Sequence, residues 1–204
     1  MKTQLVIATV FCAALGLQSA NAETNATTQI PEGFAIYGSA AMVGSSIGWR
    51  QGADNFEGFG TDDTAFDLGV EYSIGTETPV AFGAKYLGGF DFSNFVSDGS
   101  TVKLEDEGGY AAYVSPRMKI GNSTLLFGTL GMFKTDGKIT VANVAAEDDL
   151  EGSYYGFGVR QYLDNKSFVE VGVERFTYDS ILLRSGVTLT GAATKGLITY
   201  GLAF

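Results

Sequence analysis

The chain has 204 residues, 45% of them hydrophobic and 18% charged, with 28 glycines, three prolines and a formal net charge of −10. It has no histidine and one cysteine, Cys12, which removes the usual neutral-pH base and the His- or Cys-built nucleophiles. No phosphate loop, metal-ligand spacing or nucleic-acid patch appears, so no cofactor, metal or nucleic acid is expected.

Lys2 is followed by an apolar run from Leu5 to Leu17 and then by Ala20-Asn-Ala22. A charged start, a short apolar stretch and an Ala-x-Ala site make a secretory signal peptide over residues 1–22. The run falls short of the roughly 20 apolar residues of a spanning helix. Cys12 is preceded by Thr9-Val-Phe11, which do not resemble the small residues of a lipoprotein cleavage site. The mature chain then has no cysteine, and disulfides contribute nothing to it. Residues 23–33 are polar and aperiodic, and read as a short lead-in.

From Phe34 to Phe204 the chain divides into eight candidate strands. The first, Phe34 to Arg50, is rich in Gly, Ala and Ser, and its two faces are hard to tell apart. In the second, Ala65 to Ile74, Phe66, Leu68, Val70, Tyr72 and Ile74 share one face and Asp67, Gly69, Glu71 and Ser73 the other, because side chains alternate across a strand. The third, Val80 to Phe92, sets Phe82, Ala84, Tyr86, Phe90 and Phe92 against Gly83, Lys85 and Asp91. The fourth, Tyr110 to Ile120, sets Tyr110, Ala112, Val114 and Met118 against Tyr113, Ser115, Arg117 and Lys119; Pro116 inside it predicts a bulge.

The fifth, Thr124 to Val141, is ambiguous at Leu125-Leu-Phe127 and then places Phe133, Ile139 and Val141 opposite Lys134, Asp136 and Lys138. The sixth, Tyr154 to Leu163, has Tyr155, Phe157, Val159 and Leu163 opposite Gly156, Gly158 and Arg160. The seventh alternates Val169, Val171 and Val173 with Glu170, Gly172 and Glu174, then loses phase near Arg175-Phe176, which predicts a bulge or a membrane edge. In the last, Ile198, Tyr200, Leu202 and Phe204 oppose Lys195, Thr199, Gly201 and Ala203.

Residues 75–79, 121–123 and 164–166 are short turns, whereas 52–63, 94–108 and 142–152 are long loops and 179–187 is a fourth connection. The long loops are acidic, carrying Asp54, Glu57, Asp62 and Asp63; Asp98, Glu105, Asp106 and Glu107; and Glu147, Asp148, Asp149 and Glu151. Short turns at one end and long loops at the other match a transmembrane barrel, with both termini periplasmic. The expectation is an all-β fold, an eight-stranded antiparallel up-and-down transmembrane β-barrel. A closed barrel satisfies every backbone group in lipid. A secreted soluble barrel with its apolar face inward is the other reading of the same alternation.

The ending Tyr200-x-Leu202-x-Phe204, together with this strand pattern, resembles the small eight-stranded outer-membrane barrels of the OmpA-transmembrane-domain and OmpX kind. That resemblance implies a place in the bacterial outer membrane, surrounded by its lipid and lipopolysaccharide. It also implies that Tyr200, Leu202 and Phe204 are read as a signal by the barrel-assembly machinery. Unlike in full-length OmpA, no peptidoglycan-binding domain is expected after the barrel, and with it no cell-wall anchoring role. Enzymes of this barrel class work through a histidine base, and this chain has none, so no enzyme is expected.

The inward charges are Asp67, Glu71, Lys85, Arg117, Lys119, Lys134, Lys138, Arg160, Glu170 and Glu174. An eight-stranded barrel is just wide enough for its side chains to fill it, and unpaired charges there are costly. They form either a salt-bridged plug or an ion path. Asp62-Asp63 and Glu147-Asp148-Asp149 are either a solvated acidic surface or a site for cations and cationic partners. Trp49, Phe56, Phe59, Phe90, Phe92 and Tyr155 read as an aromatic girdle or an adhesive patch at the outer rim. Arg175 and Arg184 are candidate contacts for lipopolysaccharide phosphates. The leading functional reading is a non-enzymatic outer-membrane protein with a structural, envelope or surface-interaction role. A narrow porin-like channel for small solutes is the alternative.

Overall fold

The computed structural model describes residues 30–51, 54–59, 63–92, 95–97, 100–141, 144–164, 166–182 and 188–204. Residues 1–22, expected as a signal peptide, most of the expected lead-in, Asp62, Asp98 and Arg184 lie outside these residues. The strands are β1 Gly33–Gln51, β2 Asp54–Phe59, β3 Asp63–Ile74, β4 Val80–Asp91, β5 Phe95–Ser97, β6 Ser100–Lys119, β7 Thr124–Val141, β8 Val144–Tyr162, β9 Ser167–Leu182 and β10 Thr188–Ala203.

Each long strand pairs antiparallel with the next, in the order β10-β9-β8-β7-β6-β4-β3-β1, and β1 returns to β10. The seam runs without a break from Ala35↔Ala203 to Arg50↔Thr188. The result is a closed eight-stranded barrel, with β2 and β5 as short extensions paired to β1 and β6. Closure leaves no free edge along the barrel wall, the condition for spanning lipid. Phe204 donates its backbone N–H to the Phe34 carbonyl at 2.7 Å, tying the last residue to the first strand.

Over the half of the barrel that holds the termini, the alternation follows the sequence pattern. Phe66, Leu68, Val70, Tyr72 and Ile74 are exposed on the outer face of β3, and Asp67, Glu71 and Ser73 are buried inside. Phe66–Ile74 matches the roughly 9–11 residues that cross a bilayer. Phe82 and Tyr86 on β4, Leu130 and Met132 on β7, Tyr155 and Phe157 on β8, and Ile198 and Tyr200 on β10 complete the apolar belt. The Gly-rich β1 resolves too, with Phe34, Ile36 and Met42 outside and Ala35, Ser39, Ala41 and Val43 inside. On β7, Leu125 and Phe127 point in and Leu126 points out.

Pro116 makes no bulge. The β6–β7 ladder stops at Val114↔Leu130 and resumes in the same register at Arg117↔Phe127. The proline sits exposed on the outer face, where its missing donor leaves a gap in the ladder and no shift. The register shift lies higher, between Asp106 and Gly108. Gly108 takes φ +96° there, a conformation that a side chain disfavours.

That bulge changes the inside of the barrel. On β4 the inward residues are Ala81, Lys85 and Leu87 and then, past Gly88-Gly89, Phe90 and Phe92. These two phenylalanines are therefore core residues and not part of an outer girdle. Tyr155 is exposed on the belt, while the side chains of Trp49, Phe56 and Phe59 lie outside the described set. β7 and β9 keep their alternation with the polarity reversed. Phe133, Ile139, Phe176 and Tyr178 are buried, while Lys134, Asp136, Arg175 and Thr177 are exposed. The expectation that Lys134 and Lys138 point inward is thus overturned. Above the belt the outer wall meets water, so the charges go outward and the apolar side chains fill the inside. The phase near Arg175-Phe176 is not lost; only its sign changes.

The stretches expected as long loops are largely strand. β7 and β8 pair up to Val141↔Val144, β6 begins at Ser100, and β1 pairs with β2 up to Gln51↔Asp54. Asp91, Glu107, Asp136, Asp148, Asp149 and Glu151 are exposed around this end and give it an acidic collar.

Candidate functional site

The lumen is filled in three tiers. The tier toward the termini is built on Glu71. Its carboxylate accepts hydrogen bonds from Arg117 Nη2 at 2.6 Å, Arg160 Nη1 at 2.5 Å and Nη2 at 3.2 Å, and the Tyr113 hydroxyl at 3.0 Å. Arg160 also donates through Nε to Glu170 at 2.8 Å, and Arg117 Nη1 donates to Ser73 Oγ at 2.9 Å. The Arg160 guanidinium lies 3.8 Å from the centre of the Phe168 ring, a stacking geometry suited to its flat, weakly hydrated face. Two carboxylates and two guanidiniums make this tier neutral, as buried charge requires.

The middle tier is a pair of lysines. Lys85 Nζ lies 2.6 and 2.7 Å from the two Glu174 oxygens. Lys195 Nζ donates to Asp67 Oδ1 at 3.1 Å, and the same oxygen accepts the Gly88 N–H. Tyr154 and Phe176 stack 4.7 Å apart. Lys85 sits 4.7 Å from the Tyr154 ring centre and Lys195 sits 5.1 Å from that of Phe176. This tier is also neutral.

Aromatic rings reach these positions because glycine faces them across the ladder. Tyr37 is paired with Gly69, Tyr113 with Gly83 and Tyr154 with Gly131. A Cβ at any of the three glycines would overlap the ring. The rings lie flat on the bare backbone, which lets Tyr37 donate to the Tyr113 hydroxyl at 2.9 Å.

The third tier, beyond the bulge, is mostly apolar, with Asp106 its buried charge and Thr135 and the Tyr178 hydroxyl beside it. Phe92 and Phe133 meet Tyr178 edge-on at 5.4 and 4.8 Å. Leu104, Ile139, Leu150 and Ile47 close around them. Asp106 accepts hydrogen bonds from Tyr178 at 2.6 Å, the Gly108 N–H at 2.9 Å and Thr135 at 3.1 Å. Burial pushes its carboxyl above the usual range, more than these hydrogen bonds draw it down. Burial and the neighbouring Asp106 push the Tyr178 hydroxyl up as well.

Of the lumen charges expected from sequence, Asp67, Glu71, Lys85, Arg117, Arg160, Glu170 and Glu174 come together in the first two tiers. Lys119 does not. It ends β6, exposed at the terminus end of the barrel, on the far side of the Glu71 tier from the rest of the lumen. Lys195 and Asp106 are the charges that the reading left out of the network. Lys195 shares the inward face of the last strand with Thr199 and Gly201, which is the signal that locates it. Asp106 fell in a stretch taken for a loop. Tyr200, Leu202 and Phe204 stand exposed on the outer face beside the seam.

The space left between the first two tiers is about 20 Å³, bounded by Tyr37, Glu71, Lys85, Arg117, Arg160 and Glu174 among others. A water needs about 10–15 Å³ measured this way, so the space suits one water and no solute. Among the described residues no group of three carboxylates or other donors is placed to hold a metal.

A model of the outer membrane protein beta-barrel domain matches residues 9–196. No curated protein matches the sequence. The structure is similar to the outer membrane protein OprG of Pseudomonas aeruginosa, with a TM-score of 0.58 at 15% identity over 87% of this chain and 99% of that one. It is also similar to Neisserial surface protein A, with a TM-score of 0.54 at 10% identity over 84% and 97%. A weaker likeness, with a TM-score of 0.45 at 14% identity over 83% and 99%, is to Ail, the attachment invasion locus protein of Yersinia pestis.

Proposed function

The chain belongs to the outer membrane protein beta-barrel domain family and is a bacterial outer-membrane barrel; from that premise we propose that it is a sealed, non-enzymatic anchor that presents an acidic collar at the cell surface. In this reading both termini are periplasmic, and the end-strand residues Tyr200, Leu202 and Phe204 serve the assembly machinery. The collar acts in envelope integrity or in binding cationic partners. The observation that carries it is the lumen. Two neutral tiers of buried ion pairs leave about 20 Å³ between them, and an apolar plug closes the other end. Absence of histidine supports the non-enzymatic part, since the common neutral-pH base is missing.

Conductance of the purified, inserted protein in a planar bilayer tests it. No steady unitary current is expected from the wild type. Steady currents that change with Arg117→Glu would overturn the anchor and install the channel.

A further inference from the structure

The terminus end of the barrel is not left open. Residues 23–33 hold one large aliphatic side chain, Ile30. Pro31 follows it and favours an extended backbone at that position. Ile30 is 7% exposed. It belongs to a buried apolar cluster with Ala35 of β1, Leu125 of β7, Tyr162 at the end of β8, Phe168 of β9 and Ala203 of β10. Ala35 and Leu125 face the lumen, so Ile30 enters the mouth and does not hang below it.

Two further features fix the segment across the opening. The Gly75 N–H, in the turn between β3 and β4, donates to Glu32 Oε1 at 2.9 Å. Gly33 takes φ +117°, and a Cβ there would lie 2.7 Å from the Phe204 carbonyl oxygen. Only glycine lets the chain turn so close beside the last residue.

We propose that Ile30–Gly33 is a strap that corks the terminus-end mouth and locks the closed seam. Ala35 and Ala203 are register partners at the lower end of that seam, so the socket for Ile30 is complete only after β10 has met β1. Once seated, the strap runs from the seam to the β3–β4 turn and has to leave before the seam can part. Its cluster includes Phe168, whose ring carries the Arg160 guanidinium at 3.8 Å. Ile30 thus keeps water at this end away from the Glu71 tier, where it would screen the ion pairs.

The test is thiol labelling of Ala35→Cys in folded protein, with a small, water-soluble methanethiosulfonate. The one native cysteine, Cys12, falls in residues 1–22 and is replaced by Ala. Ala35 is 5% exposed, and cysteine is close to it in size. A charge at position 30 cannot stay among apolar partners, so Ile30→Asp is expected to speed labelling at least tenfold. Gly33→Ala, which keeps Ile30 and spoils the turn, is expected to do the same, whereas Ile30→Leu should stay protected. At a fixed temperature, Ile30→Asp and Gly33→Ala should lose the folded, heat-sensitive gel band at least threefold faster than wild type. Ile30 lies outside every strand, so the barrel closes without it, and the folded band before heating verifies this. Equal labelling rates across the variants, or fast labelling with Ile30 in place, overturn the proposal. So does an unchanged rate of band loss.

Discussion

The barrel contains two opposite solutions to the same strand geometry. In the half near the termini, polar groups face inward and apolar ones outward. Glu71 and Arg117 are buried while Phe66 and Leu68 are exposed. In the half near the loops the signs exchange. Phe133 and Leu150 are buried, while Lys134 and Glu151 are exposed. The strands run unbroken through both halves, and what differs is the medium outside. Lipid offers no hydrogen bonds, so buried charge collects in the lumen, where it must be paired. Water lets the outer wall carry charge, and an ordinary hydrophobic core forms within.

The largest effect should come from removing the centre of the charged half. Glu71 holds both Arg117 and Arg160, so Glu71→Gln leaves two buried guanidiniums short of a counter-charge. A loss of about 3–5 kcal/mol is expected for breaking a buried pair in this way, read as a lowered urea midpoint for unfolding from lipid vesicles. Lys134→Gln breaks the ion pairs to Asp149 and Glu151, which are more than half exposed. It should change the midpoint by less than about 1 kcal/mol. Equal effects of the two variants would mean that the lumen is wetter than the tiers imply.

The comparison sharpens with one residue type placed in both halves. Leu150 is 2% exposed, inside the loop-end core, and Leu130 is 59% exposed, on the lipid belt. Leu150→Ala should cost about 2–3 kcal/mol, at the low end for a buried leucine because a site near the rim can partly collapse. Leu130→Ala should cost less, about 1–2 kcal/mol, since lipid tails fill the vacated space and only the transfer of the side chain from water to lipid is lost. A larger loss from Leu130 would mean that the belt is packed against something other than lipid.

How much of this was legible follows from the same contrast. Period-two alternation locates strands wherever one face is apolar, so β3, β10 and β8 from Tyr154 onward could be read residue by residue, while the first half of β8 was taken for a loop. Their inward charges followed directly. Alternation does not say which face is inside. Extending the lower-half polarity upward therefore sent Lys134 inward and Phe90 and Phe92 outward. The inversion leaves one trace in the sequence. Gly88-Gly89 and Gly108-Gly109 face each other across β4 and β6, with Gly88 paired to Gly108 and Leu87 to Gly109. Cβ atoms at Gly88 and Gly89 would overlap the backbone of Phe66 and of Asp106. Two glycine pairs in adjacent strands mark a place where backbones crowd and the inside face changes hands. The lumen glycines at 69, 83 and 131 were also in plain view. Their meaning as seats for Tyr37, Tyr113 and Tyr154 needs the cross-strand register, which local pattern does not supply.

The smallest effect is a matter of pH, and it separates Asp106 from Asp164. Burial raises the Asp106 carboxyl above its ordinary value, so the folded state holds that proton more tightly than the unfolded one. Its ionised form burdens the fold at neutral pH, and the burden lifts as pH falls through the raised value. Asp164, in the turn before β9, is drawn below its ordinary value by the backbone N–H groups of Lys166 and Ser167. Its contribution is present above the unfolded value and fades as pH falls through the lowered one. Asp106→Asn should therefore stabilise the loop-end core most at neutral pH, with its advantage over wild type shrinking on acidification. Asp164→Asn should do the reverse, costing most at neutral pH. Amide exchange at Thr135 and Tyr178 in the first case, and at Ser167 in the second, reads the two locally. Parallel pH dependence in both variants would mean that Asp106 is hydrated, and that the apolar tier does not exclude water from the loop end of the lumen.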